Sequence, residues 1–472
     1  MMVLPLCILG LIVGYLVYGR FVEKLILPYR EPTPAVSVND GMDYVPMSKG
    51  RNHLIQLLNI AGTGPIFGAL MGAKWGPIVL IWIVGGTIFG GAVHDFMCGM
   101  MSERNEGKSI TILINRYLGD KARYPVLILM IVVMVMVSAT FARSASDLLY
   151  GITGIPAPVW VAIILVYFML STLLPIDKVI GRMYPVFGIL LLVMAFTVMV
   201  GLLVGGFVFP EFTLANLHPS GDEYFPDMFI TVACGAISGF HATQSPMVSR
   251  CLKDERDGRS VFYGAMVLES VIAVLWATAG LAFYSDTSAL AGALSSGGAS
   301  GVVYEISEGV AGTAGGVLAV IGVIVCPITS GDTALRAARM MIQDDRGIEV
   351  TDKKAGFTIA LVLLIPIIIL CSLDFTVLWN YFSWLNQTLA CVMLWTATVF
   401  LLRTSSVRRG YLVTAIPAVF MTMIVTSYIL GSRLGFGLDH VTSLVIGAVI
   451  TVIVLILFVR HYVPGAVSHE AA

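Results

Sequence analysis

The sequence predicts an all-α polytopic membrane protein of about thirteen transmembrane helices. Three observations carry this. Hydrophobic residues make up 57% of the chain and charged residues only 12%, roughly half the share in a soluble domain. Runs such as AVIGVIVCPITSG, FTIALVLLIPIIILCSL and SLVIGAVITVIVLILFV belong to stretches long enough to cross about 30 Å of hydrocarbon as helices. These runs do not alternate, as the segments of a membrane β-barrel would.

Taken in order, the spans fall near 2–20, 54–73, 77–100, 124–146, 157–174, 184–209, 226–249, 261–285, 313–335, 356–373, 377–402, 410–431 and 441–460. The first lacks a basic leader and a small-residue cleavage signature, so it is expected to be a retained span. Loop charge sets the orientation. With the amino terminus outside, the cytoplasmic side holds Arg20, Lys24, Arg30, Lys49 and Arg51, then Arg104, Lys108, Arg116, Lys121 and Arg123. Lys178 and Arg182, the groups Arg250–Arg259, Arg336–Lys354 and Arg403–Arg409, and Arg460 fall on the same side. That is 25 of the 28 Lys and Arg, leaving Lys74, Arg143 and Arg433. One span more or fewer would scramble this alternation, so the amino terminus is expected outside and the carboxyl terminus in the cytoplasm.

The external stretches 210–225 and 286–312 carry no Lys or Arg. The second, with ALAGALSSGGASG, is expected to be a flexible or partly re-entrant loop. Segment 21–53 is expected to be the longest cytoplasmic connector, a loop with two Pro turns. No soluble domain is expected, and 1–472 is one transmembrane domain. The seven cysteines are scattered without a CxxC pair and behave as small buried hydrophobes. No disulfide framework, resident metal or cofactor is expected. A net charge of −1 gives no reason to expect a nucleic-acid partner. The expected partners are the lipid bilayer and a small-molecule substrate.

Two spans are interrupted. The second contains Asn59–Gly72, NIAGTGPIFGALMG, with Gly62, Thr63, Gly64 and Pro65 in mid-helix. Pro65 removes a donor and clashes with the preceding turn, while the glycines tolerate unwound backbone. The seventh contains Gly235–Arg250, GAISGFHATQSPMVSR, with Gly239, polar residues and Pro246. Either interruption alone could be a packing kink. Unwound backbone at membrane depth survives only inside protein or beside a water-filled cavity. With the first span set aside, the breaks fall in helices one and six of the remaining twelve. That is the LeuT-type arrangement, a five-plus-five inverted repeat with two discontinuous helices. The first repeat then covers 54–209 and the second 226–402, after an extra helix at 2–20 and before two further helices at 410–460.

In that geometry both breaks face one cavity near the bilayer midplane. Half-helix amino ends favour an anion, while carbonyls and hydroxyls suit a cation. The expected substrate-binding residues are Gly62, Thr63 and Gly64 of the first break, with Ser238, Gly239, His241, Thr243 and Gln244 of the second. Other polar residues at depth are candidates for ion coupling. His241 titrates near physiological pH in its unperturbed form, and could equally tie down unwound carbonyls. Glu269, about eight residues into its span, is a lone carboxylate and a candidate proton carrier, or a hydrogen-bonded packing residue. Thr329, Ser330 and Thr333 are hydroxyls near Asp332 at the end of the ninth span, and LeuT-type helices at this place supply a cation site. Asp332 could instead pair with Arg336, its i+4 neighbour. His94 and Asp95 are expected to form a structural pair with the basic loop that follows, with a gating role second. Arg143 is expected to snorkel, or else to attract a substrate carboxylate.

NIAGTGPIFGALMGAKWGP, GTIFGGAVHDFMCGMMSERNEGKSI, SGFHATQSPMVSRCLKDERDGRSVFYGAMVLES and SGDTALRAARMM together resemble the carbon starvation protein A family. WNYFSWLNQTLA (Trp379 to Ala390) is similar to that family's aromatic and Asn-Gln element. The resemblance runs from about Gln56 to Ala390. It implies an inner-membrane uptake system induced by carbon shortage. Such proteins are associated with peptide uptake, and some with proton-coupled pyruvate uptake. Many continue with further carboxyl-terminal helices, whereas this chain is expected to end soon after its thirteenth span.

The expected function is secondary active uptake of a small carboxylate such as pyruvate, or of short peptides, by symport with H+ or Na+. No H-E-x-x-H helix or Gly-x-Ser-x-Gly element is present to support an intramembrane enzyme. A nutrient sensor is the third class, and without a soluble output domain it would need a partner protein.

Overall fold

A computed structural model describes residues 3–41, 43–172, 176–349 and 352–467, with side chains for all of these except 176–185, 314 and 464–467. The side chains of Lys178 and Arg182, and the expected end of the fifth span at 173–174, lie outside the described residues. Among the described residues each of the thirteen expected spans contains helix, the seventh only in its two ends. α1 runs Val3–Ile26, and α2 is broken into α2a, Lys49–Ile60, and α2b, Gly64–Trp75, bent by 59°. α3 (Val79–Glu103), α4 (Asp120–Thr153), α5 (Ala157–Ser171) and α6 (Ile176–Val204) follow. α7 has an outer half through Tyr224–Met228 and Phe229–Thr231 and an inner half, α7b, at His241–Ser249. α8 (Glu255–Phe283), α9 (Gly315–Arg346), α10 (Lys353–Cys371), α11 (Phe375–Thr404), α12 (Leu412–Gly431) and α13 (His440–Val467) complete the chain.

Among the described residues ten helices are singly long and apolar enough to cross a membrane, and the bent α2 pair makes eleven. The two spans that miss that measure have physical reasons. α5 is 15 residues long, and α7 gives up its middle to unwound chain. Lipid-facing surfaces are apolar, as at Val166 and Leu170 on α5, Ile368 and Ile369 on α10, and Val452 and Leu457 on α13.

Two groups of helices make the interior. α4, α5, α9 and α10 pack on one another as a scaffold. α2, α3, α7b and α8 pack as a bundle against it. α1 lies outside on α3 and α8, and α12 and α13 stack beyond α11. Because lipid satisfies no backbone group, both breaks sit where bundle meets scaffold.

The stretch 286–312, expected as a flexible or partly re-entrant external loop, is helical. Asp286 caps it by accepting from Ala289 N at 2.9 Å, and helix runs from Thr287 into α9, turning at Gly298 (φ +66°) and Gly312 (φ +67°). Its alanines favour helix strongly, and only the two positive-φ glycines break it.

α1 continues to Ile26 and α2a begins at Lys49, so the connector expected at 21–53 shortens to 27–48, where the described residues form loop and one short helix, Pro34–Ser37. Three arginines tie together the helix ends at this side of the molecule and the connector. Arg104 pairs with Glu255 and donates to the carbonyls of Ile26 and Pro28. Arg250 pairs with Asp43 at 3.7 Å and stacks over Tyr44. Arg259 pairs with Glu23 at 2.8 Å and stacks over Tyr15.

Candidate functional site

The first break spans Ala61–Thr63. Ala61 leaves the helical region (φ −74°, ψ 76°), and Gly62 N turns back to Ile60 O at 2.8 Å. Pro65, at the start of α2b, needs no helical N–H there. Thr63 O accepts from Ile66 N and Phe67 N, starting the new half-helix. A methyl at Gly62 would lie 2.2 Å from the Phe141 ring of α4, so the unwound chain lies directly on the scaffold.

The second break covers 232–240 and ends at His241. This corrects the expected location. Pro246 lies inside α7b without interrupting it, and His241, Thr243 and Gln244 are helical. The unwinding is upstream, where Asn386 of α11 takes over the backbone. Asn386 Oδ1 accepts from Phe240 N at 2.7 Å and Ser238 Oγ at 3.2 Å, and Asn386 O accepts from Gly239 N at 3.2 Å. Gly239 is required here, because a Cβ would stand 2.3 Å from both Ala390 N and Asn386 O.

The breaks touch each other. A Cβ on Gly64 would be 2.2 Å from Cys234 Cβ, and a Cβ on Gly235 would be 3.6 Å from Pro65 Cα. Thr63, Ser238, His241 and Gln244 are fully buried and Thr243 is 6% exposed, so the site is closed to both sides. Thr63 Oγ1 has no hydrogen-bond partner among the described residues. Thr243 and Gln244 face elsewhere: Gln244 Nε2 donates to Thr243 Oγ1 at 2.8 Å, and that hydroxyl lies 3.1 Å from Met134 Sδ on α4.

His241 is the centre of a buried ionisable cluster. Its Nδ1 lies 2.8 Å from Asp95 Oδ2, and its Nε2 lies 3.6 Å from Glu269 Oε2. Asp95 Oδ1 pairs with His94 Nδ1 at 2.8 Å. All four side chains are fully buried. Glu269 and His241, weighed separately in the sequence, therefore belong to one unit on α3, α7b and α8. The expectation for His94 and Asp95 is corrected, since they serve this cluster and not the basic loop. The available signal was physical. Ionisable groups at membrane depth seek one another, and these were the deep ones on their spans.

On the scaffold side, Thr329 Oγ1 and Ser330 Oγ donate to Leu58 O, one turn before the first break, at 3.0 and 3.1 Å. Thr333 bonds back to the carbonyls of Thr329 and Ser330. Asp332 points away from this group. Its Oδ2 accepts from Ser171 Oγ of α5 at 2.6 Å and Tyr167 Oη at 3.4 Å, and Arg336 donates to Ser171 O. It joins two scaffold helices. Arg143 forms an i,i+4 pair with Asp147 at 3.0 Å and donates to Cys371 O, so it neither snorkels nor faces the breaks.

Comparison with known proteins agrees with this architecture. The pattern of the family described as "Carbon starvation protein CstA" matches residues 1–204, 149–288 and 285–428. A membrane protein of Haemophilus influenzae is 41% identical over 347 residues, covering 62% of this chain and 93% of its own length. The peptide transporter CstA of Escherichia coli is 28% identical over 333 residues, covering 56% of this chain and 47% of its own. The pyruvate/proton symporter BtsT of the same organism is 26% identical over 338 residues, covering 56% and 46%. The chain thus spans about half the length of these two relatives. Among solved structures, a manganese transporter of Eremococcus coleocola superposes with a TM-score of 0.58 at 13% identity, covering 91% of this chain and 98% of its own. MhsT in complex with L-phenylalanine gives 0.56 at 13% identity, covering 80% and 97%. These neighbours show a LeuT-type fold. The named relatives and both neighbours are transporters, which sets the enzyme alternative aside. The chain is a multi-pass membrane protein that belongs to the carbon starvation protein CstA family.

Proposed function

We propose that this chain is a secondary symporter that carries a small organic carboxylate, such as pyruvate, into the cell together with protons. The observation that carries the proposal is His241 held between Asp95 and Glu269 against the inner edge of the second break. Two ionised carboxylates around a neutral imidazole would bury uncompensated negative charge, so the cluster holds protons in its resting occupancy. Moving His241 away from either carboxylate changes that occupancy. Alternating access would do this by shifting α7b against α3 and α8.

The substrate carboxylate belongs at the first break. Asn386 already caps Gly239 N and Phe240 N, so the amino end of α7b has little left to offer an anion. The amino end of α2b instead presents Thr63 and Gly64, with the buried Thr63 hydroxyl unpartnered. Gly64 packs on Cys234 with no room even for a Cβ, which argues for a three-carbon acid rather than a peptide between the breaks. A pyruvate/proton symporter among the relatives supports the same choice. The bias of Lys and Arg supports an amino terminus outside and a carboxyl terminus in the cytoplasm.

A sodium-coupled reading has its own support in the Thr329 and Ser330 hydroxyls gathered at Leu58 O. One experiment decides between them. Purified protein in proteoliposomes is tested for counterflow of labelled pyruvate and labelled di- and tripeptides, with and without sodium, and for accumulation under a pH gradient. Pyruvate accumulation that needs the pH gradient and ignores sodium is expected. Transport of peptides alone, or strict dependence on sodium, overturns the proposal.

A further inference from the structure

The cluster around His241 is sealed from the cytoplasm in this conformation, yet one face beneath it is polar beyond any packing need. Asn52, Gln56 and Asn59 occupy positions i, i+4 and i+7 of α2a, so they line one side of that half-helix. Each is at most 1% exposed. The side-chain oxygens of all three, Asn52 Oδ1, Gln56 Oε1 and Asn59 Oδ1, have no hydrogen-bond partner among the described residues. A buried amide oxygen without a donor is costly, and three on one face of a single half-helix form a pattern.

What faces these amides completes the pattern. Gln56 Nε2 donates to Ser245 Oγ at 3.3 Å, and Ser245 Oγ in turn donates to His241 O at 3.0 Å. Asn52 Nδ2 donates to Cys251 O at 2.8 Å, two residues beyond the end of α7b. A cavity of about 10 Å³ lies against Asn52, Asn59, Met247 and Cys251 and reaches Met47 of the connector. That is close to the room a single water needs, and the amides of Asn52 and Asn59, set in an otherwise apolar lining, are the partners a water there finds.

We propose that the Asn52–Gln56–Asn59 face is the wall of a water chain by which protons leave the His241 cluster for the cytoplasm. The inference rests on the proton-symport reading above. In the step, the imidazolium of His241 gives its proton to a water entering past Ser245, whose hydroxyl meets the His241 main-chain carbonyl and not the ring. The positive charge passes from water to water along the amide face and out to bulk water near Cys251. His241 is left neutral, and no other bond changes. The amides themselves stay neutral, which keeps the route free of a fixed charge that would trap the proton.

The test separates release of protons from handling of substrate. Counterflow of labelled pyruvate at equal pH on both sides needs no net proton release, whereas accumulation driven by a pH gradient does. Gln56→Leu in proteoliposomes is expected to keep counterflow within about twofold of the wild type and to lower accumulation by about tenfold or more. Its thermal midpoint in detergent is expected not to fall, because an unpartnered polar atom has been removed. Gln56→Ser, small and polar, is expected to recover most of the accumulation. Asn59→Leu gives a second reading at the cavity, with the same expected split. Wild-type accumulation in Gln56→Leu and Asn59→Leu overturns the route, as does loss of counterflow in step with accumulation. A wild-type protein that does not accumulate pyruvate under a pH gradient refutes the symport reading and this route together. A coupled wild type with coupled variants refutes the route alone.

Discussion

The direct contact of the two breaks makes a substitution at Gly64 informative. In Gly64→Ala the new methyl would lie 2.2 Å from Cys234 Cβ and 2.4 Å from Cys234 Sγ, at least 1 Å inside the 3.4–4 Å of ordinary contact. Neither atom is the far end of a long side chain, so the unwound segments themselves must separate. Overpacking of this kind costs roughly 1–3 kcal/mol. If that cost falls on the closed conformation alone, it lowers its population relative to open forms by roughly 5–150-fold. Pyruvate counterflow in proteoliposomes is expected to fall accordingly, with the protein still folded. Cys234→Gly supplies the control. It removes both clashing atoms and leaves Cys234 Cα, 3.4 Å away, as the nearest neighbour. The double variant should therefore transport better than Gly64→Ala alone, with a coupling energy of about 1–3 kcal/mol. Wild-type counterflow in Gly64→Ala, or simple additivity in the double variant, would show that the breaks do not meet as described.

Three further outcomes follow from the same geometry. Glu269→Gln removes one carboxylate from His241 while keeping its shape, so counterflow should persist and pH-driven accumulation should fall by about tenfold or more. Unchanged accumulation in that variant would remove Glu269 from the coupling unit. Asn386→Leu leaves Phe240 N without its acceptor, at a cost of about 1–3 kcal/mol, and should lower the thermal midpoint and slow uptake together. A midpoint equal to the wild type would contradict the capping role. Asp332→Asn should lower folded yield in the membrane because Asp332 ties α9 to Ser171 and Tyr167 of α5 beside Arg336. Lost coupling at full yield would instead return Asp332 to the ion-coupling group.

The pairs Arg104–Glu255, Arg250–Asp43 and Arg259–Glu23 lie across one end of the bundle, joining α3 to α8, the end of α7b to the connector and α8 to α1. These pairs are partly or fully shielded from water, which gives each more weight than an exposed surface pair. The same arginines are thereby engaged within the chain.

The sequence by itself determined the membrane address, the helical segments, which two of them break and, for the first, the residues of the break. Those properties are local. Hydropathy over about 20 residues sets a span, and glycine beside proline interrupts α2 at Gly62–Pro65, whereas Pro246 leaves α7b helical. Sequence also singled out His241 and Glu269, because an ionisable group in hydrocarbon is rare enough to stand out. Only the tertiary structure decided their company. Asp95 lies 146 residues from His241 along the chain, and nothing local indicates that α3 and α7b bring them to 2.8 Å. The same holds for Asn386, which lies 146 residues after Phe240 and supplies the acceptor that lets residues 232–240 unwind. Asp332 shows the converse. Its neighbours in sequence pointed to a cation site, but the rotation of α9 against α5 gives it to Ser171. Where a property depends on spacing within one helix the sequence suffices. Where it depends on which faces meet, packing decides.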